Sequence, residues 1–175
     1  PVAARLGTGS AKLAEAVEDT DMTPSDAQRK AGNYAKGRFR WHGLTIVLEN
    51  PVGSVRRGVT ADGTAWKTTM KDHYGYILGH TSQADGDAVD VFVATPPNWL
   101  TEVVFVANQV NPASGRFDEH KVIIGAVDRE QAETVYRRNY QAGWDGLDSI
   151  RPMSITEFEA WLDDGVSKKR ASHET

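Results

Sequence analysis

Between Gly43 and Val127 the chain is a succession of short runs rich in Val, Ile, Thr and aromatic residues, each ended by a turn signal, and this rhythm dictates a sheet. The runs are Leu44 to Leu48, Ser54 to Thr60, Thr64 to Met70, Tyr74 to Leu78, Val89 to Ala94, Val103 to Val110 and Lys121 to Val127. Asn50-Pro51-Val52-Gly53, Ala61-Asp62-Gly63 and Asn111-Pro112-Ala113-Ser114-Gly115 carry the Gly and Pro that chain reversals use. Connections this short favour an antiparallel barrel or a curled sheet.

Outside that stretch the period is helical. Asp128 and Gln131 form a capping pair, and Ala132, Val135, Tyr136 and Tyr140 are spaced to share one helix face. Ser154-Ile155-Thr156-Glu157 is a capping box that opens a last helix, expected to stop at Gly165. Residues 1–36 hold two short helical patterns, the second opening at Thr23-Pro24 with Asp26 completing its cap, and read as an extension or linker. Gly7 to Lys12 lacks the spacing of a phosphate loop, and no strand precedes it. The expected division is therefore a helical extension at 1–36, the main domain at 37–167 and a polar tail at 168–175.

Bulk properties narrow the function. A chain of 175 residues, 39% of them hydrophobic, suffices for one compact domain with a real core. A formal charge of -4 without a lysine-rich stripe argues against nucleic acid as a partner, because nonspecific binding rests on phosphate neutralisation. The absence of cysteine removes disulfides, thiolate nucleophiles and Cys-based zinc sites. No apolar run approaches the roughly 20 residues that span a bilayer, so no membrane is expected and a cytoplasmic location is. The first residue is Pro1 rather than Met, which suggests a piece cut from a longer polypeptide.

One segment carries chemistry. Asp85-Gly86-Asp87-Ala88-Val89-Asp90 places three carboxylates immediately before an apolar strand, and their repulsion calls for a positive partner. Asp85 and Asp87 can face one side of an extended segment, with Asp90 returning after a bend. Oxygen-only ligation selects Mg2+ or Mn2+ over zinc. A calcium-binding EF-hand loop is excluded, since Val89, Asp90 and Pro96 stand where it requires an acid, a glycine and a glutamate. The plain alternative is a solvated acidic turn. Glu49 ends the apolar run Leu44 to Leu48, where burial without a cation would be costly.

The company of the acidic segment decides between these readings. Tyr74-Gly75-Tyr76-Ile77 followed by Asp85-Gly86-Asp87-Ala88-Val89-Asp90-Val91 resembles the signature of the soluble family I inorganic pyrophosphatases. Ile46 to Pro51 and Asp118-Glu119-His120-Lys121 extend the likeness, which covers about residues 43–145. The sequence is similar, more closely, to the pyrophosphatase-like domain of polyvalent proteins in phages and conjugative elements. That match runs through Gly43-Leu44-Thr45-Ile46, Glu49 to Ser54, Asp62 to Trp66, His73 to Ile77 and Phe117 to Val122.

The resemblance implies an α+β fold, an OB-like antiparallel β-barrel flanked by helices, and hydrolysis of pyrophosphate to two phosphates with Mg2+, or Mn2+ in its place. It also implies other domains of a larger polyprotein as partners and a host-cell cytoplasm. By similarity, Asp85 and Asp90 ligate the first metal, and Asp87 orients or deprotonates a metal-bridging water. Glu119 or Asp118 adds a further ligand, and Glu49 serves as a second-sphere or additional one. Lys121, Tyr74 and Tyr140 match phosphate-binding positions, with Arg56 or Arg57 replacing the family's lysine and Lys67 its upstream arginine. Each has a plainer reading as a packing or solvated side chain.

Departures point to fewer contacts. No acid stands near Gly58, Met70 replaces a tyrosine, Ser114 sits near an expected aspartate and Gln141 replaces a lysine. Two other functions follow from such a site: hydrolysis of another phosphoanhydride, such as a nucleotide or signalling molecule, and noncatalytic binding of metal or phosphate.

Overall fold

The computed structural model describes residues 2–82, 86–164, 166 and 171. The order is α1 (Val2–Glu18), α2 (Asp26–Ala31), β1 (Arg38–Trp41), β2 (Leu44–Asn50), β3 (Val55–Val59), β4 (Ala65–Thr69), β5 (His73–Thr81), β6 (Ala88–Val93), β7 (Val103–Val110), β8 (Phe117–Ile124), α3 (Arg129–Arg138), β9 (Leu147–Ser154) and α4 (Ile155–Asp163). The fold is α+β. Among the described residues, seven strands form one sheet in the order β1-β2-β5-β6-β8-β7-β9, and β3 and β4 form a separate hairpin.

The sheet is not closed into a barrel, contrary to the expectation from turn spacing. Its outer strands β1 and β9 each pair on one side only. Two unexpected strands, β1 and β9, account for the difference, because they occupy the edges that closure would have to join. Pro152 is tolerated in β9 for that reason, since an edge strand can lack a ladder donor. The pairing is also not wholly antiparallel. The chain passes from β6 to β7 and returns through β8, so β8 inserts parallel to β6 and sets Asp90 beside Lys121.

Alternation along the strands builds a core on each face. Val89 and Val91 of β6, with Val104, Val106, Val122 and Ile124, pack under α1 and α4, which contribute Leu13, Ala16, Phe158 and Leu162. The expected N-terminal extension is thus packed onto the sheet. Phe92 faces the other way and joins Tyr74, Phe105, Ile123 and Tyr136 beneath α3. At Gly75 the backbones of β5 and β2 press together so closely that a Cβ would lie 1.8 Å from the Val47 carbonyl oxygen.

The helix starts follow capping chemistry, with one correction. Ser25, rather than Thr23-Pro24 and Asp26, caps α2, its hydroxyl accepting from the Gln28 amide at 3.1 Å in a full capping box. Asp128 and Ser154 cap α3 and α4 as their sequences indicate. α3 ends at Arg138, so Tyr140 lies past the helix rather than on it. A buried knot holds that end in place: Asp72 accepts from Arg138 Nε at 2.7 Å and Nη2 at 2.6 Å, and from Asn139 Nδ2 at 2.8 Å.

Candidate active site

Three adjacent strands bring Tyr74 (β5), Asp90 (β6) and Glu119 and Lys121 (β8) to the sheet face that carries Phe92. Lys121 begins the apolar run Lys121 to Ile124, and only 1% of its side chain is exposed. Its Nζ donates to Asp90 Oδ2 at 2.6 Å and to the Tyr74 hydroxyl at 2.8 Å, and lies 2.9 Å from Glu119 Oε1. Burial opposes the ammonium charge, but Tyr74, Asp90, Tyr140 and Glu119 outweigh it and hold the pKa well above that of an ordinary lysine.

Arg56 reaches the same tyrosine from the overhanging β3–β4 hairpin. Its Nη2 donates to the Tyr74 hydroxyl at 3.1 Å, and its guanidinium lies 4.3 Å from the Tyr74 ring centre and 5.0 Å from that of Trp66. The Tyr74 hydroxyl therefore accepts two bonds from cations, and its own proton has no acceptor among the described residues. Burial raises its pKa, so it stays a donor.

The cleft in front of this cluster has a volume of about 550 Å³ and is walled by Glu49, Asp90, Arg56, Arg57, Arg29 and Tyr34, among others. The Glu49 carboxylate makes no hydrogen bond or ion pair among the described residues. Burial raises its pKa, and repulsion from Asp90 adds to the effect. Burial likewise raises that of Glu119, against the pull of Lys121. Of the two, Glu49 lines the cleft and Glu119 lies behind it against Lys121.

The other sequence candidates divide. Asp85 lies outside the described residues. Asp87 is exposed in the bend after Gly86. Among the described residues, which leave out Asp85, no three acidic or histidine side chains converge as a ready metal cage. Asp118 is exposed and accepts from Gln109 Nε2 at 3.2 Å, whereas its neighbour Glu119 faces Lys121. Arg57 pairs across the hairpin with Lys67, one residue out of phase with Arg56 and so on the opposite face. Tyr140 donates to Gln109 Oε1 at 2.8 Å, and burial raises its pKa to about 12.

Three participants escaped the sequence reading. Gln109 joins the β7 strand to the site, its Oε1 accepting from Tyr136 at 2.7 Å and its Nε2 donating to Glu119 at 3.1 Å. Two adjacent amides, Asn108 and Gln109, in an otherwise apolar run were the available signal. Arg29 and Tyr34 come from the presumed extension, and nothing in their local pattern marks them. His73 acts as a hydrogen-bonding support, its Nδ1 accepting from the Val52 amide at 3.1 Å.

A family model described as Inorganic Pyrophosphatase matches residues 26–163. No curated protein and no solved structure matches the chain significantly. Among the described residues no helix is long and apolar enough to cross a membrane.

Proposed function

Because the chain belongs to the inorganic pyrophosphatase family, we propose that it hydrolyses inorganic pyrophosphate to two phosphates in a Mg2+-dependent reaction, with Mn2+ as a possible substitute. The observation that carries this reading is the cleft floor, where buried Lys121 and Arg56 meet at the Tyr74 hydroxyl beside a wall of carboxylates. A pyrophosphate needs both surfaces.

The donor chemistry suits a hard divalent cation. Glu49 is a half-buried carboxylate with no hydrogen-bond or ion-pair partner among the described residues, Asp90 and Glu119 share one lysine, and no thiolate exists in the chain. In this proposal Asp85, Asp90 and Glu49 hold the metal, with Glu119 or Asp118 contributing a further oxygen. A cation held there supplies charge neutralisation and lowers the pKa of water.

The chain's own residues do the rest. Lys121 and Arg56 bind the phosphate oxygens, and Tyr74 donates its free proton to the leaving group, with Tyr140 lining the same side. Water oxygen bonds to one phosphorus as the bond from that phosphorus to the bridging oxygen breaks. Asp87 receives the water's proton. Charge rising on the departing phosphate meets donors already fixed in position, which is where such donors act most strongly. Phosphate release from pyrophosphate, measured with Mg2+ and with chelator, tests the reading. Activity should require the metal and fall about 100-fold or more in Asp87→Asn; an undiminished variant rules out the proposed base.

The polyvalent-protein subfamily, a mobile-element origin and a cytoplasmic setting within a larger polyprotein belong to the same proposal, supported by the motif run from Gly43 to Val122. An immunoblot of the source cells showing only a product the size of this chain would contradict the polyprotein.

A further inference from the structure

Behind the β3–β4 hairpin a second groove, of about 660 Å³, is lined by Arg29, Lys30, Arg57 and Lys67 against a single carboxylate, Asp26. That imbalance stands in a protein of net charge -4. Arg57 and Lys67 are directly opposed in the hairpin ladder, a like-charge pairing that weakens a sheet unless an anion lies between the two. Among the described residues Lys30, Arg57 and Lys67 have no ion-pair partner, and Arg29 meets Asp26 only at 3.6 Å, with the Asp26 side chain 81% exposed. Arg29 Nε is a buried donor with no hydrogen-bond partner. A buried, unsatisfied guanidinium N–H is rare enough to need an explanation, and an anion provides one.

The groove is continuous with the cleft. Asp26, Arg29 and Arg57 line both. Resting on the hydrolytic reading above, we infer that this outer groove binds the further phosphates of a chain longer than pyrophosphate. The two reacting phosphates sit at Arg56 and Lys121. A third passes Arg29 and Arg57 into the outer groove, where Lys30 and Lys67 receive it. The shared chemistry is a linear chain of three or more phosphates, free or attached to a nucleoside.

The test compares the wild type with Lys30→Glu, a residue that lines the outer groove and not the cleft, on pyrophosphate, inorganic tripolyphosphate and ATP at low ionic strength. Lys12→Glu, which reverses the same charge at an exposed position elsewhere, controls for the general field. The KM for tripolyphosphate, for ATP or for both should rise about tenfold, each unit of exposed charge weakening binding about threefold, with pyrophosphate kinetics unchanged. Whichever substrate responds identifies the occupant. Equal effects on all three substrates, or the same effect in the control, would overturn the groove. Calorimetric titration of tripolyphosphate without metal keeps the two proposals separate: if no substrate is hydrolysed the reaction fails, yet tighter binding to wild type than to Lys30→Glu still upholds the groove, and equal binding sinks it.

Discussion

Replacing Lys121 with Met removes the charge while nearly preserving the shape of the side chain, and so isolates what the ammonium contributes. In the wild type it holds two carboxylates at 2.6 and 2.9 Å and one hydroxyl at 2.8 Å. Removing one partner of a fully buried ion pair destabilises by roughly 3–5 kcal/mol. Asp90 and Glu119 each retain 23% side-chain exposure, so water recovers part of the loss, and the lower end, about 3 kcal/mol, is expected. With a urea slope of roughly 2 kcal/mol/M, the midpoint should fall by about 1.5 M. The five tryptophans provide the fluorescence signal. Acid should shrink the deficit. The folded pKa of Glu119 is already raised, so its ionisation opposes folding as pH climbs past the unfolded value, and losing Lys121 enlarges that penalty. The gap should therefore be widest at neutral pH and narrow towards pH 4, as Glu119 takes up its proton. A midpoint shift that is the same at both pH values would refute the electrostatic account and leave lost packing as the cause.

Three other outcomes are expected. Gly75→Ala should destabilise by about 3 kcal/mol, because its Cβ would enter the Val47 carbonyl and force β2 from β5; the urea midpoint measures it. Glu49→Gln should raise the thermal midpoint of the metal-free protein, since a raised folded pKa makes the ionised form unfavourable at neutral pH, and should reduce the stabilisation that added Mg2+ brings. His73 has its pKa lowered by burial, so its contribution is complete above about pH 6.5 and is lost as acid forces protonation; His73→Asn, which can still accept from Val52, should flatten the fall in stability between about pH 6.5 and 5.

What the sequence revealed followed the range of its signals. Strand alternation and capping boxes are local, and they located seven of the strands and the two C-terminal helices. β1 was missed because Arg38-Phe39-Arg40-Trp41 is short and half charged, and β9 because Pro152 reads as a strand breaker until its edge position is known. Closure of the sheet is a long-range property that no turn encodes. The same holds at the site. Motif spacing selected Tyr74, Asp90 and Lys121, which meet within hydrogen-bonding distance. It could not choose between Arg56 and Arg57, because the choice depends on which hairpin face turns to the cleft.

The site residues also differ in what they do for the fold, and this bears on how any loss of activity should be interpreted. Lys121 sits where three strands meet, at a parallel register that a one-residue slip would destroy by turning it to the opposite face. Its charge is spent on three partners before a substrate arrives, so its removal disturbs the scaffold and the chemistry together. Glu49 is the reverse case. Among the described residues its carboxylate has no hydrogen-bond or ion-pair partner, and burial and Asp90 raise its pKa against the weaker pull of Lys36, Arg56 and Lys121. That imbalance is the signature of a residue kept for something that binds rather than for stability. A variant that gains stability and loses activity at Glu49, beside one that loses both at Lys121, would separate the metal-binding wall of the cleft from the cationic floor that holds it in shape.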